Sequence, residues 1–176
     1  MAITAADNIR ILGPVFGTHT PRHDLLRSTS VAFKRGDPVA ISSGNGAAAS
    51  SSGVILSTLG GFAENPETAS SGTGLQIIPA MPGIRFMAKL QNSASSSKIK
   101  TKHRFKRFGL KKYTSSSASV WVLDSTLATQ LRGFIVTDLE DAASTVNGRL
   151  IFQVASQGEN PAMSSASASV AAWNLW

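Results

Sequence analysis

The chain has no cysteine, so disulfides, thiol nucleophiles and cysteine-ligated metals are excluded, and its redox compartment is not readable from thiol usage. Charge is scarce at 15%, and acids are absent altogether from 68–123, almost a third of the sequence. Aromatics make up 7%, with a single tyrosine. No stretch approaches the run of about 20 apolar residues that spans a bilayer. The opening "MAITAADNIRILGP" lacks the basic head and apolar core of a signal peptide, so the expectation is a soluble chain made in the cytoplasm, without a membrane partner. Helical periodicity is also nearly missing: "STLATQLRGF" and "DLEDAAST" hold about one or two turns each.

What remains is a 176-residue chain that is 42% apolar, rich in Ser, Ala and Gly, and carries a net charge of +7. That length suits one domain with a real core, and the composition is not that of a disordered polyelectrolyte. The positive balance favours acidic partners of some kind. From residue 31 onward the texture is that of short strands cut by turn residues: "VAFKRGDPVAIS", "GVILSTLGGF", "LQIIPAMPGIRFMAKL", "SVWVLD", "RGFIVTDLE" and "RLIFQVA". Asn147-Gly148 reads as a hairpin turn, since both residues tolerate positive φ. Seven to nine short strands result. The expected class is all-β, a small sandwich or barrel with Ser/Gly/Ala-rich loops. Residues 1–30, broken by Pro14, Gly17 and Pro21, read as an extended N-terminal arm. Residues 31–155 form the β domain and 156–176 a C-terminal tail. That tail ends "AAWNLW". Trp173 and Trp176 either fold back on their own sheet or anchor on a neighbouring subunit.

No motif identifies a reaction. "GNGAAA" from Gly44 fits a dinucleotide fingerprint, with Glu64 at the right distance, but "AAASSSG" offers no apolar helix stripe and reads as a loop. His19 and His23 stand four apart beside Asp24, yet Pro21 between them argues against a helical metal pair. Asp138, Glu140 and Asp141 lack the spacing of a calcium loop and read as a solvated turn. No serine occupies a nucleophile elbow, and Arg35–Asp37, "RGD", reads as a turn. The expectation is a protein that is not an enzyme, with no cofactor and no metal.

The concentrated feature is "KIKTKHRFKRFGLKK", 98–112, which holds eight of the seventeen Lys and Arg residues: Lys98, Lys100, Lys102, Arg104, Lys106, Arg107, Lys111 and Lys112. From 98 to 106 the cations fall on even positions, while Ile99, Thr101, His103 and Phe105 fall on odd ones. Since residues i, i+2 and i+4 share one face of a strand, this pattern predicts a basic strand, or one arm of a hairpin at 98–112. Its cationic face would look outward and its other row would pack. Such a face suits an acidic protein surface. The alternative is nucleic acid, with Phe105, Phe108 and Tyr113 as stacking candidates.

In its texture the chain resembles the capsid decoration, or cement, proteins of tailed bacteriophages. The resembling stretches are "RGDPVAIS", "GVILSTLGGF" after a Ser/Gly loop, and the closing "RGFIVTDLED" and "NGRLIFQVA". The resemblance implies a β-rich fold, a place on the outside of the virion's major capsid shell, the major capsid protein as partner, and self-association, commonly as a homotrimer. The basic run departs from that family's common core. A phage tail or head-fibre component shares the same texture and stays open beside it.

Overall fold

The computed structural model describes residues 3–17, 19–27, 32–64, 74–91, 97–116 and 119–155. The expected all-β architecture is present, as two antiparallel sheets facing each other across a core. Among the described residues there are eleven strands. The six-stranded sheet runs in the order β1 (Arg10–Pro14), β7 (Ile84–Lys89), β11 (Arg149–Val154), β10 (Phe134–Leu139), β8 (Arg107–Thr114), β9 (Ser119–Asp124). The five-stranded sheet runs β2 (His23–Leu26), β6 (Gly74–Pro79), β5 (Leu59–Ala63), β3 (Pro38–Ser42), β4 (Asn45–Ala48). The larger sheet curls: Leu90, just past β7, bridges Leu123 on β9, and the Gln91 amide donates to the Leu123 carbonyl at 2.9 Å.

Alternation sets the inward faces. On β11, Leu150, Phe152 and Val154 are buried and the residues between them are half-exposed. Phe62 of β5 meets Phe86 of β7 at 4.4 Å between ring centroids, and Phe134 and Phe152 close the group at 5.6–6.5 Å. These four fully buried rings come from both sheets and clamp them together. Each side chain contributes about 2–3 kcal/mol by burial alone. Gly61 lets the sheets' strands lie close: a Cβ there would stand 2.3 Å from the Ile78 carbonyl oxygen.

Residues 1–30, expected as an arm outside the β domain, are built into it where they are described. β1 pairs with β7 and β2 with β6, so the segment supplies one edge strand to each sheet. Ile9 lies in the main core, and Ile3 packs on Val120 and Val122 of β9. Asn8 fixes the segment further. Its amide donates to the Arg35 carbonyl at 2.7 Å and to Asp37 at 2.9 Å, and its carbonyl accepts from the Trp121 amide at 3.1 Å. Sequence reading missed this because the partners of Asn8 lie 27 to 113 positions away.

Two turn expectations also change. "GNGAAA" is not simply a loop, because Asn45–Ala48 forms β4. Ser43 and Gly44 both take positive φ (49° and 79°), the geometry of a tight two-residue hairpin between β3 and β4. Asn147-Gly148 does not make the expected tight hairpin. Asn147 is left-handed (φ 49°), but Val146 before it bridges Lys98, and β10 connects to β11 through residues 140–148. The C-terminal tail, with Trp173 and Trp176, lies outside the described residues.

Candidate functional site

The basic run does not form one strand. Its first residues are tied to the connection between β10 and β11: Lys98 bridges Val146, the Ile99 amide donates to Thr145 O at 3.0 Å, and Ile99 O accepts from the Ser144 amide at 2.8 Å. Ile99 is fully buried in the main core, between exposed Lys98 and Lys100, so the alternation holds for these three residues. A single 3-10 turn then follows at Thr101–His103. The Lys100 amide donates to His103 Nδ1 at 3.2 Å and the His103 amide returns to Lys100 O at 2.9 Å, closing the turn at both levels. Strand geometry resumes only at Arg107, where β8 begins.

The residue that separates turn from strand is Phe105. Its φ is +59°, in the left-handed region that bulky side chains rarely occupy. Two backbone bonds hold it there: its amide donates to Val136 O at 2.7 Å, and the Val136 amide donates to Lys106 O at 3.0 Å. The consequence is a reversed side chain. Phe105 was expected on the packed row with Ile99, yet it is 74% exposed. The packed aromatic is Phe108, fully buried, with the His103 ring edge-on to it at 5.5 Å. Partial burial, then the neighbouring charges of Lys100 and Lys102, holds His103 below the usual imidazole range. It therefore stays neutral at pH 7, as its acceptor role at Nδ1 requires.

The cations of the run divide accordingly. Lys98, Lys100, Lys102, Arg104, Lys106 and Lys112 are exposed, and Arg107 is half-buried at the start of β8. Lys111 is a correction to the expected outward face. It lies diagonally across the β8–β9 pair from Asp124, whose carboxylate is fully buried, and the two form an ion pair. Burial pushes the Asp124 carboxyl up, but the Lys111 ammonium and the Thr126 donors at 2.6 and 2.7 Å outweigh it and leave Asp124 below the usual range. Arg104 reaches Asp138 at 2.8 Å in an exposed pair, which contributes little to stability. The Leu139 amide, then Arg104, lowers the Asp138 pKa. Of the aromatic stacking candidates, Phe105 is the exposed one: Phe108 is buried, and Tyr113 is half-buried beside Val120 and Val122.

Asp138 and Asp141, read as parts of a solvated turn, instead take specific partners. Asp138 holds Arg104. Asp141 grips Arg149 through its amide at 2.7 Å and its guanidinium at 2.6 Å. His19 and His23 are exposed. Among the described residues no three His, Asp or Glu side chains gather as metal ligands, and no helix is long and apolar enough to cross a membrane. A small cleft of about 80 Å³ lies between the N-terminal segment and the larger sheet and is lined by Asp7, Asn8, Arg10, Lys89 and Arg149. Its charges serve the fold: the buried Lys89 ammonium bonds the Asp7 carboxylate at 2.9 Å.

What the basic surface can do is bind. It presents a short set of exposed ammonium and guanidinium groups and one projecting ring, on a loop whose backbone is pinned at both ends. Comparison with protein-family models, with curated proteins and with solved structures returns no match.

Proposed function

We propose that this chain is a non-enzymatic structural protein of a virion, which binds the outer surface of the major capsid shell and stabilises it as a decoration protein. The observation that carries the reading is the exposed cationic loop at 98–106, held on a β framework instead of hanging on a tail. A loop whose backbone is already fixed loses little backbone freedom on docking. Its charges speed encounter with an acidic surface and fix the register of contact. The textural resemblance to capsid decoration proteins supplies the class of partner, the major capsid protein. Repetition does the rest: many copies, each bridging neighbouring capsomers and associating with one another as trimers, turn modest contacts into high avidity.

A second reading, binding of single-stranded nucleic acid, is favoured by one observation, the exposed Phe105 ring among phosphate-attracting cations. The triple variant Lys100→Ser, Lys102→Ser, Arg104→Ser separates the two. On the capsid reading it keeps its fold and rebinds stripped virion shells more slowly than wild type, while wild type itself gives no gel shift with DNA or RNA at physiological salt. A shift that collapses by roughly 10³-fold or more between about 50 and 200 mM salt would establish the nucleic-acid reading instead.

A further inference from the structure

Phe105 combines three properties that do not usually meet. It is a large apolar side chain at 74% exposure, its backbone is in the left-handed region at φ +59°, and it lies within seven positions of the exposed cations Lys98, Lys100, Lys102, Arg104 and Lys106. Left-handed geometry is unfavourable for a phenylalanine, and projecting its ring into water forfeits the burial that Ile99 and Phe108 enjoy on either side. Strain of this kind persists where the surroundings impose it, and it concentrates at ligand clamps. Here the Val136 backbone imposes it through the bonds to the Phe105 amide and the Lys106 carbonyl. An asparagine or glycine would satisfy the same backbone at lower cost.

We propose that Phe105 is the apolar anchor of the docking surface, and that its partner is a protein presenting an apolar pocket rimmed by carboxylates. This deepens the capsid reading and rests on it. A single buried aromatic surrounded by charges that exclude water and pair at the rim is the usual anatomy of a protein–protein hot spot. A groove for single-stranded nucleic acid stacks successive bases on successive rings. Here Phe108 is buried and Tyr113 half-buried against Val120 and Val122, which leaves one fully projecting ring. One apolar plug on a loop rich in exposed cations matches one apolar pocket flanked by carboxylates.

The test compares wild type with Phe105→Asn and Phe105→Leu, using three readouts: thermal melting, rebinding to virion shells stripped of the protein, and binding to an oligothymidine strand. Phe105→Asn relieves the backbone and should melt about 2–4 °C higher, while rebinding shells at least about tenfold more weakly. Phe105→Leu keeps an apolar plug without a π face and should rebind within about threefold of wild type. If wild type rebinds and Phe105→Asn rebinds equally well, the anchor is refuted and the shell reading survives. Should wild type itself fail to rebind, the shell reading falls, and the proposed partner with it. Oligothymidine binding that both variants lose alike would assign the ring to base stacking and overturn the proposal. A lower melting temperature for Phe105→Asn would overturn the claim that the ring is held out at a cost.

Discussion

Removing the carboxylate of Asp7 tests whether the N-terminal segment belongs to the folded unit. Asp7 closes the 3-10 turn Ala5–Asp7 by accepting from the Thr4 amide at 2.7 Å and the Thr4 hydroxyl at 2.8 Å, and it pairs with Lys89 at 2.9 Å. The Lys89 side chain is 4% exposed, on a strand with neighbours on both sides. In Asp7→Ala that ammonium stays buried and loses the Asp7 counter-charge. Breaking a buried pair from one side costs about 3–5 kcal/mol. Asp141, which also feels the charge of Lys89, compensates in part, so the low end near 3 kcal/mol applies. For a chain of this size the melting temperature should fall by about 6–12 °C at pH 7. The assay is thermal unfolding followed by near-ultraviolet circular dichroism, with Asp7→Ala/Lys89→Met as the control. Replacing both charges removes the under-compensated buried ammonium and should recover at least half of the loss. A melting temperature within about 2 °C of wild type for Asp7→Ala would refute the reasoning and return the segment to the status of a detachable arm.

Gly36→Ala should cost about 3 kcal/mol and lower melting by at least about 6 °C, because φ is +86° there and a Cβ would stand 2.0 Å from the Ile9 carbonyl oxygen. Equal melting would mean that the turn and the N-terminal segment slide past each other freely. Acid should act in two stages in a pH series of melts. His103, held low by burial and by Lys100 and Lys102, resists protonation in the fold, so stability should begin a shallow decline as pH drops below 6.5. Asp7, Asp124, Asp138 and Asp141 are all depressed from 3.8, so the stability they contribute is present above that value and is lost as pH falls through their folded values. A melting temperature that rises on acidification below pH 4 would contradict these assignments.

The β class was legible because the apolar segments are short and bounded by Gly, Pro and Ser, and "RLIFQVA" alternates as β11 does. The strands that were not legible are edge strands. "RILGP", "HDLL" and "NGAA" have little alternation of their own, and each becomes a strand because one neighbour offers it a ladder. The basic run was half legible. Alternation located Ile99 inward with Lys98 and Lys100 outward, but period two carries no information about φ. The reversal at Phe105 arises from Val136, thirty-one positions along, whose backbone takes both bonds. Lys111 was misplaced for a similar reason: its partner Asp124 is the first acid after the acid-free stretch, and only the β8–β9 register makes the two diagonal neighbours.

The proposed role makes this protein a stoichiometric part of a virion shell. Quantitative mass spectrometry of gradient-purified particles tests it most directly, with a second measurement after treatment that removes outer-surface proteins without opening the shell. On the proposed role the chain is present in numbers comparable to the major capsid protein and is released by the treatment while the packaged genome stays protected. Its absence from purified particles, or its recovery only with the genome after the shell is opened, would contradict it.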